Sequence, residues 1–431
     1  MSGSRRVTEP ARARPKKASS RTSLRGDSIP SAHERANLEA ESSIRPGASA
    51  GRRPRICHVC AGHSADDGRV FHRACAALAA AGYEVHLLAR ADGDSPYVRQ
   101  GVTIHPLPRW RSRADRLRNR WRIARQAADL DPDLFHVHEP ELLGPVLARA
   151  GSRPVIWDAH ESYLDILLDR AWIPRWTRPA ARLAWDIRER SLVRRCAAVV
   201  AATDRVARRY RPLHDRVVTV ANYPDLRDLE DLPAAPRDAA TCVYAGTIVP
   251  NRGLPQVFAA LALLRQRGLD VRLSLAGSGE AQYLRELLAQ LGGSGIGDLV
   301  SYHGVLPRRE ALALQGRSGI GLIPGLPVGN NLAAVPVKMV ECMALGLPVV
   351  FSDFPSHREV AGEHRAGIPV DPTSAQEIAD AIERLVRNPG LARRMGENGR
   401  RAVREHFHWG LEREKLLGLY RTVLAAPPPR G

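Results

Sequence analysis

Residues 330–359 read NNLAAVPVKMVECMALGLPVVFSDFPSHRE, and the fold is decided on this stretch. Pro336 suits the first turn of a helix, where its missing N–H costs nothing. The helix runs through Lys338, Glu341 and Ala344 to Gly346, which suits the left-handed position just past a helix end. Pro348 follows as a stop, and Leu347-Pro-Val-Val-Phe reads as a short buried strand ending at Ser352-Asp353. Lys338 and Glu341 stand three apart and so share one face near the helix N-terminus. That end carries partial positive charge and unpaired N–H groups, which suits a phosphate. A cation three residues before a carboxylate gives one group for a diphosphate and one for a sugar's paired hydroxyls. An ordinary surface ion pair is the plain alternative, and such pairs are worth little.

The chain uses sixty arginines and four lysines, two of them in the tail at Lys16 and Lys17. Lys338 is therefore one of two lysines in the folded body. That points to a use for a point charge on a flexible stem rather than a planar fork.

The run Asn-Asn, Pro-x-Lys-x-x-Glu, then Met-Ala-x-Gly-x-Pro-Val-Val-x-Ser-Asp-x-Pro resembles glycosyltransferase family 4. Those enzymes are retaining, nucleotide-sugar-dependent and of GT-B fold. The resemblance extends from about Arg55 to the C-terminal region. It implies two doubly wound Rossmann-like α/β domains facing across a cleft. It also implies transfer of a hexosyl group from a nucleoside diphosphate sugar to a hydroxyl acceptor, in the synthesis of envelope glycolipid or polysaccharide. The family often carries two glutamates with seven residues between them. Glu341 matches the second, which in the family binds the nucleotide ribose, whereas Ala333 stands at the first. A subset of the family is similar to this chain in having an Asn-Asn…Pro-x-Lys arrangement there, which brings in Asn331.

Length and composition set the frame. At 431 residues the chain suits two domains and a tail. No apolar run approaches eighteen residues, so no membrane span is expected. The polar, charged N-terminus carries no secretory pattern. Six scattered cysteines read as reduced thiols in a cytoplasmic protein. The net charge of +18 attracts nucleic acid, anionic membrane and anionic substrates alike, so by itself it chooses none of them. Residues 1–53 hold twelve Lys/Arg against five Asp/Glu with no apolar period, a disordered basic tail.

Arg55-Ile-Cys-His-Val-Cys-Ala reads as the first buried strand. Strand alternation puts Cys57 and Cys60 on opposite faces, which argues against half a zinc site. A loop at 62–69, a helix over Val70–Ala81 and a strand from Gly82 complete the opening of a doubly wound domain. The loop lacks a Gly-x-Gly-x-x-Gly fingerprint, which counts against a dinucleotide site. The run Asp67-x-Arg69-Val-Phe, then Ala-Gly-Tyr-Glu-Val, is similar to an opening in part of the same family; helix capping is the plain reading of Asp66 and Asp67. Asp133-Leu-Phe-His-Val-His-Glu and Val155-Ile-Trp-Asp-Ala-His-Glu each end a parallel strand, where ligands of such sheets lie. His136, His138, Asp158 and His160 are of metal-ligating type, but no bound metal is expected. The resemblance places His160 near the reacting sugar.

Residues 226–240, rich in Asp and Pro, read as a linker between an acceptor domain at 54–225 and a donor domain at 241–405. The helix at about 409–424 resembles the one that crosses back onto the first domain. Cys242-Val-Tyr-Ala-Gly-Thr-Ile-Val-Pro-Asn-Arg-Gly repeats the strand–loop–helix opening. The family's loop there holds the donor diphosphate with an arginine and a lysine; Thr247 stands at the first position and Arg252 at the second. Gly277, after the next strand, allows close backbone approach to a ligand or a tight turn. The implied donor site is thus Arg252, Gly277, Asn331, Lys338 and Glu341, with a UDP- or GDP-sugar as substrate and no tightly bound cofactor.

Residues 109–126, RWRSRADRLRNRWRIARQ, place Trp110, Ala114, Leu117, Trp121 and Ala124 at helical spacing among arginines. A second basic, Trp-rich stretch covers 170–195. Both read as either core packing or contact with an anionic membrane that holds a lipid-linked acceptor, making the protein peripheral at the inner membrane face; a saccharide is the other acceptor class. Two rivals stand beside the transferase. One is a nucleotide-sugar epimerase of the same fold. The other is a nucleic-acid-binding protein, against which the chain shows no helix-turn-helix, finger or aromatic sheet motif.

Overall fold

The computed structural model describes residues 52–110, 112–161, 175–230, 232, 236–332 and 334–426. All but the last two residues of the basic tail, and also Trp172 and Ala333, lie outside the described residues.

Two parallel sheets form the framework. The first takes β1 (Arg55–Ser64), β2 (Glu84–Arg90), β3 (Tyr97–Arg99), β4 (Val102–Leu107), β5 (Leu134–Val137), β6 (Val155–Ala159), β7 (Ala198–Ala201) and β8 (Val217–Thr219). Their order is β3-β4-β2-β1-β5-β6-β7-β8, parallel except for the short β3–β4 pair. The second takes β9 (Asp238–Ala245), β10 (Arg272–Ala276), β11 (Val300–Tyr302), β12 (Ser318–Ile323), β13 (Val349–Ser352) and β14 (Gly367–Val370), in the order β11-β10-β9-β12-β13-β14. In each sheet the strand order reverses beside the first strand, between β1 and β5 and between β9 and β12. Crevices open at those points, beyond the carboxyl ends of the strands.

The strands are mostly apolar because helices cover both faces. Ile56 and Cys60 pack on one side of β1 with Phe71 and Leu78, whereas Cys57 and Val59 pack on the other with Phe135 and Val137. This alternation separates the two thiols, and all six cysteines are free and buried. The closing helix Trp409–Ala425 packs Trp409, Leu416, Tyr420 and Val423 into the first sheet's core. Glu412 ties it down by accepting from the Ala221 N–H at 2.8 Å.

The decisive stretch folds as a helix over Val337–Ala344 leading into β13. Pro336 sits one position earlier than its sequence suggests, as the extended residue capping the helix, so its rigid φ starts the helix from outside. Gly346 takes φ 78° just past the end. The 109–126 stripe is divided. Helix Arg113–Asp129 begins after Trp110, whose indole N–H donates to the Ala61 carbonyl at 3.0 Å. Ala124 faces the core with Ile123 and Ala127, while Leu117 and Trp121 face outward. Residues three or four apart share a face, so the stripe is divided along the helix axis, its later part buried and its earlier part exposed.

Gly277 shows where backbones meet. With φ at 139°, its missing Cβ would sit 1.8 Å from the Gly246 carbonyl oxygen. Gly277→Ala should lower stability by at least about 2 kcal/mol through backbone strain and collision, read as a shifted urea midpoint; an unchanged midpoint would show that the two loops yield freely.

Candidate functional site

The second sheet's half of the site starts from the Val337–Ala344 helix. Lys338 and Glu341 do share its face, yet they find different partners. The Lys338 ammonium lies 3.6 Å over the centre of the Tyr244 ring, so the ring face supplies a cation–π contact. Glu341 is 7% exposed and accepts from the Arg308 guanidinium at 2.8 Å. Arg308 also donates to Asp228 at 3.0 Å, in the segment between the two sheets.

Arg252 ends a short helical turn at Pro250–Arg252 and donates to the Asn331 side-chain oxygen at 2.6 Å. Asn331 in turn donates to the Asn251 and Leu326 carbonyls at 2.9 and 3.0 Å, which locks its orientation. Gly253 follows at φ 67°, where any Cβ would strike the Pro324 carbonyl. The loops after β9 and β12 are thereby clamped together. A Cβ on Gly246 would meet the Lys338 amine at 3.0 Å.

Burial and then the Arg252 charge push the Lys338 amine down to about 7 from its ordinary 10.5. Two cationic side chains converge here, and the hydrogen bond of Arg252 goes to a neutral amide. Such an arrangement is prepared for an anion. Gly277 makes a close backbone approach within the protein. Its N–H donates to the Gly304 carbonyl at 2.8 Å and its carbonyl accepts from the Tyr302 hydroxyl. Its role is to let the loops after β9 and β10 touch.

The first sheet's half is built on histidines at the ends of β1, β5 and β6. His58, His136 and His138 are fully buried, and His160 reaches the surface of the crevice. His138 Nδ1 lies 3.1 Å from His160 Nε2, and its Nε2 lies 3.0 Å from His58 Nδ1. Burial pushes the His138 imidazole down to about 3 and also lowers His58 and His136. Asp158 is buried beneath them. Burial opposes its charge, but Arg69 at 2.9 Å, His160 and the imidazoles of His136 and His138 hold its carboxyl well below the usual range. The Asp158 charge is thus matched by a guanidinium, and His58, His138 and His160 are linked through their ring nitrogens.

Glu139, after His138, turns both oxygens to the Ala61 and Gly62 N–H groups at 3.0 and 2.7 Å and so fixes the loop after β1. His63 in that loop brings its ring within 5.1 Å of the His160 ring. His63, Arg69, Tyr244 and Arg308 went unassigned in the sequence. Only Arg69 carried a local signal, its place in the Asp67-x-Arg69 run.

Residues 68–228 match the family model "Glycosyltransferase Family 4" and residues 230–402 match "Glycosyl transferases group 1". The chain is 30% identical over 328 residues to MMP alpha-(1->4)-mannosyltransferase of Mycolicibacterium hassiacum, covering 70% of this chain and 74% of that one. It is 26% identical over 364 residues to phosphatidyl-myo-inositol mannosyltransferase of Mycolicibacterium smegmatis, covering 80% and 87%. Among solved structures, Anabaena HepE in complex with UDP superposes with a TM-score of 0.64 at 15% identity, over 85% of this chain and all of that one. That likeness gives the GT-B fold.

The lowered amine of Lys338 can be read directly, because Lys415 is the other lysine of the described residues. Trace acylation followed peptide by peptide should give Lys338 half-maximal reactivity near pH 7, with the neutral, reactive amine dominant above it. A midpoint near 10.5 would show an ordinary solvated lysine.

Proposed function

Because the chain belongs to glycosyltransferase family 4 and is a glycosyltransferase, we propose that it moves a hexosyl group from a nucleoside diphosphate sugar to a hydroxyl acceptor with retention at the anomeric carbon. The observation that carries this reading is the pairing of Lys338 with Arg252 in one crevice. In the reaction the bond between the anomeric carbon and the diphosphate oxygen breaks, and the acceptor oxygen bonds to that carbon and gives up its proton to the departing diphosphate. Negative charge grows on the leaving diphosphate while the sugar becomes cation-like. Lys338 and Arg252 stabilise the first, and a Lys338 amine of lowered pKa takes up a proton as the anion arrives. Glu341 holds ribose hydroxyls, with one carboxylate oxygen kept in place by Arg308. His160 meets the reacting sugar from the opposite side. The UDP in the HepE complex supports a nucleotide sugar as donor, and the donor we propose is a UDP- or GDP-sugar. Residues 241–405 serve as the donor domain, and 54–225 with the closing helix as the acceptor domain.

The acceptor we propose is lipid-linked, in envelope glycolipid or polysaccharide synthesis. The Arg113–Asp129 helix turns Leu117 and Trp121 to solvent beside Arg118, Arg122 and Arg125. Helix Arg178–Val193 adds exposed Leu183 and Ile187, with Trp176 at 83% exposure just before it. Apolar side chains among arginines suit the headgroup layer of an anionic membrane. No helix among the described residues is long and apolar enough to cross one. The mannosyltransferase relative named for phosphatidyl-myo-inositol supports an acceptor of this class.

Two outcomes test the proposal. Glu341→Ala should weaken nucleoside diphosphate binding by roughly 1–3 kcal/mol, the cost of losing a charged hydrogen bond; unchanged calorimetric affinity in the folded variant refutes the ribose role. The wild-type protein should co-sediment with phosphatidylglycerol vesicles, release with salt, and bind several-fold less after Trp121→Ala and Trp176→Ala. Protein left in the supernatant at low salt overturns the membrane reading.

A further inference from the structure

Beneath His160 the buried polar groups close into a ring. Asp158 Oδ2 lies 3.6 Å from His136 Nε2, too long for a hydrogen bond but close enough for the carboxylate charge to act on that nitrogen. His136 Nδ1 is 2.5 Å from the Tyr420 hydroxyl, and that hydroxyl is 3.3 Å from His58 Nε2. His58 Nδ1 is 3.0 Å from His138 Nε2, and His138 Nδ1 returns to Asp158 Oδ2 at 3.4 Å. His160 Nε2 joins at that last corner, 3.1 Å from His138 Nδ1 and 3.5 Å from Asp158 Oδ2. Three neutral imidazoles and one phenol supply one proton each, so four protons serve five contacts around the ring. One contact is left without a proton, and the protons can run in either direction.

The carboxylate selects the direction. With protons running one way, His138 Nδ1–H donates to Asp158, and two bare nitrogens, His136 Nε2 and His160 Nε2, face the negative oxygen. With the opposite order, His136 Nε2–H and His160 Nε2–H both face it, and one bare nitrogen, His138 Nδ1, does so. A buried carboxylate favours the arrangement with more N–H groups turned toward it. The same order makes the 2.5 Å contact an O–H donating to a nitrogen, and oxygen donors make the shorter hydrogen bonds. His160 Nε2–H then donates to His138 Nδ1.

We infer that this ring fixes His160 as the Nε2–H tautomer, with its Nδ1 lone pair left for the crevice, and that Tyr420 on the closing helix is the positioning residue that holds the ring in that order. His160 thereby accepts a hydrogen bond from a sugar hydroxyl instead of donating one. The Trp409–Ala425 helix, which touches no substrate in this account, sets the chemistry of the crevice through one hydroxyl. Without it His58 Nε2–H has no acceptor, the His58 proton moves to Nδ1, and His138 and His160 reverse in turn.

The inference rests on the reading of His160 as the residue at the sugar, so its test separates the two. Full-length protein labelled with ¹⁵N-histidine should show His160 as Nε2–H by two-bond nitrogen–proton correlations. Tyr420→Phe, which removes one oxygen, should shift His160 toward Nδ1–H. It should also lower kcat five- to tenfold while changing the donor KM less than twofold. An Nδ1–H His160 in the wild-type protein overturns the inference, and so does an unchanged tautomer in Tyr420→Phe. A shifted tautomer with wild-type kcat keeps the ring and removes His160 from the reaction. Should the phenylalanine variant not fold, the wild-type spectrum alone decides.

Discussion

The first domain is arranged around a buried negative charge. Asp158, at the end of β6, is nearly free of solvent, and a carboxylate there is tolerable only if its oxygens are matched. Arg69 matches one oxygen and three imidazoles crowd the other. Removing one partner of such a buried pair generally costs about 3–5 kcal/mol, so the cluster ties its elements firmly. Those elements are the loop and helix after β1, the ends of β5 and β6, and the closing helix through Tyr420. Arg69 also donates to the Val220 carbonyl, which extends the tie to the end of β8.

The second domain answers with uncompensated positive charge. Lys338 and Arg252 are brought together by loops that only glycine permits to meet, at Gly246, Gly253 and Gly277. Anionic partners there are scarce by construction. Glu341, the nearest carboxylate on the helix face, is drawn to Arg308 and through it to Asp228. The charge of Lys338 is therefore penalised in the free protein, and in the function we propose an entering diphosphate makes it favourable. Catalysis asks for this asymmetry: stabilisation that grows as charge develops on the leaving group.

The outer face of the first domain obeys another constraint. Helix Arg113–Asp129 buries Ile123, Ala124 and Ala127, and leaves Trp121 47% exposed among arginines. Helix Arg178–Val193 buries only Glu189 and Val193 among its described side chains. Such a surface is expensive in water alone, and the membrane contact we propose rests on that cost.

The sequence by itself determined the local events. Pro336, Gly346 and Pro348 punctuate a helix and a strand, and the spacing of Lys338 to Glu341 puts both on one face. The alternation of β1 separates Cys57 from Cys60, and histidine-containing runs mark the ends of β5 and β6. Each of these follows from a period or a backbone preference that acts within a few residues. Tertiary structure alone decided which groups meet. Arg308 reaches Glu341 from 33 positions away, Arg69 reaches Asp158 from 89, and Tyr420 reaches His136 from 284. No local period encodes those separations. They arise because parallel strands bring distant chain segments to one sheet edge, where burial drives most polar atoms to find a partner. Trp110 and Trp121 show the same limit from the other side. Helical spacing joins them in the sequence, but the helix starts at Arg113, and packing sends one indole to the crevice loop and the other to solvent.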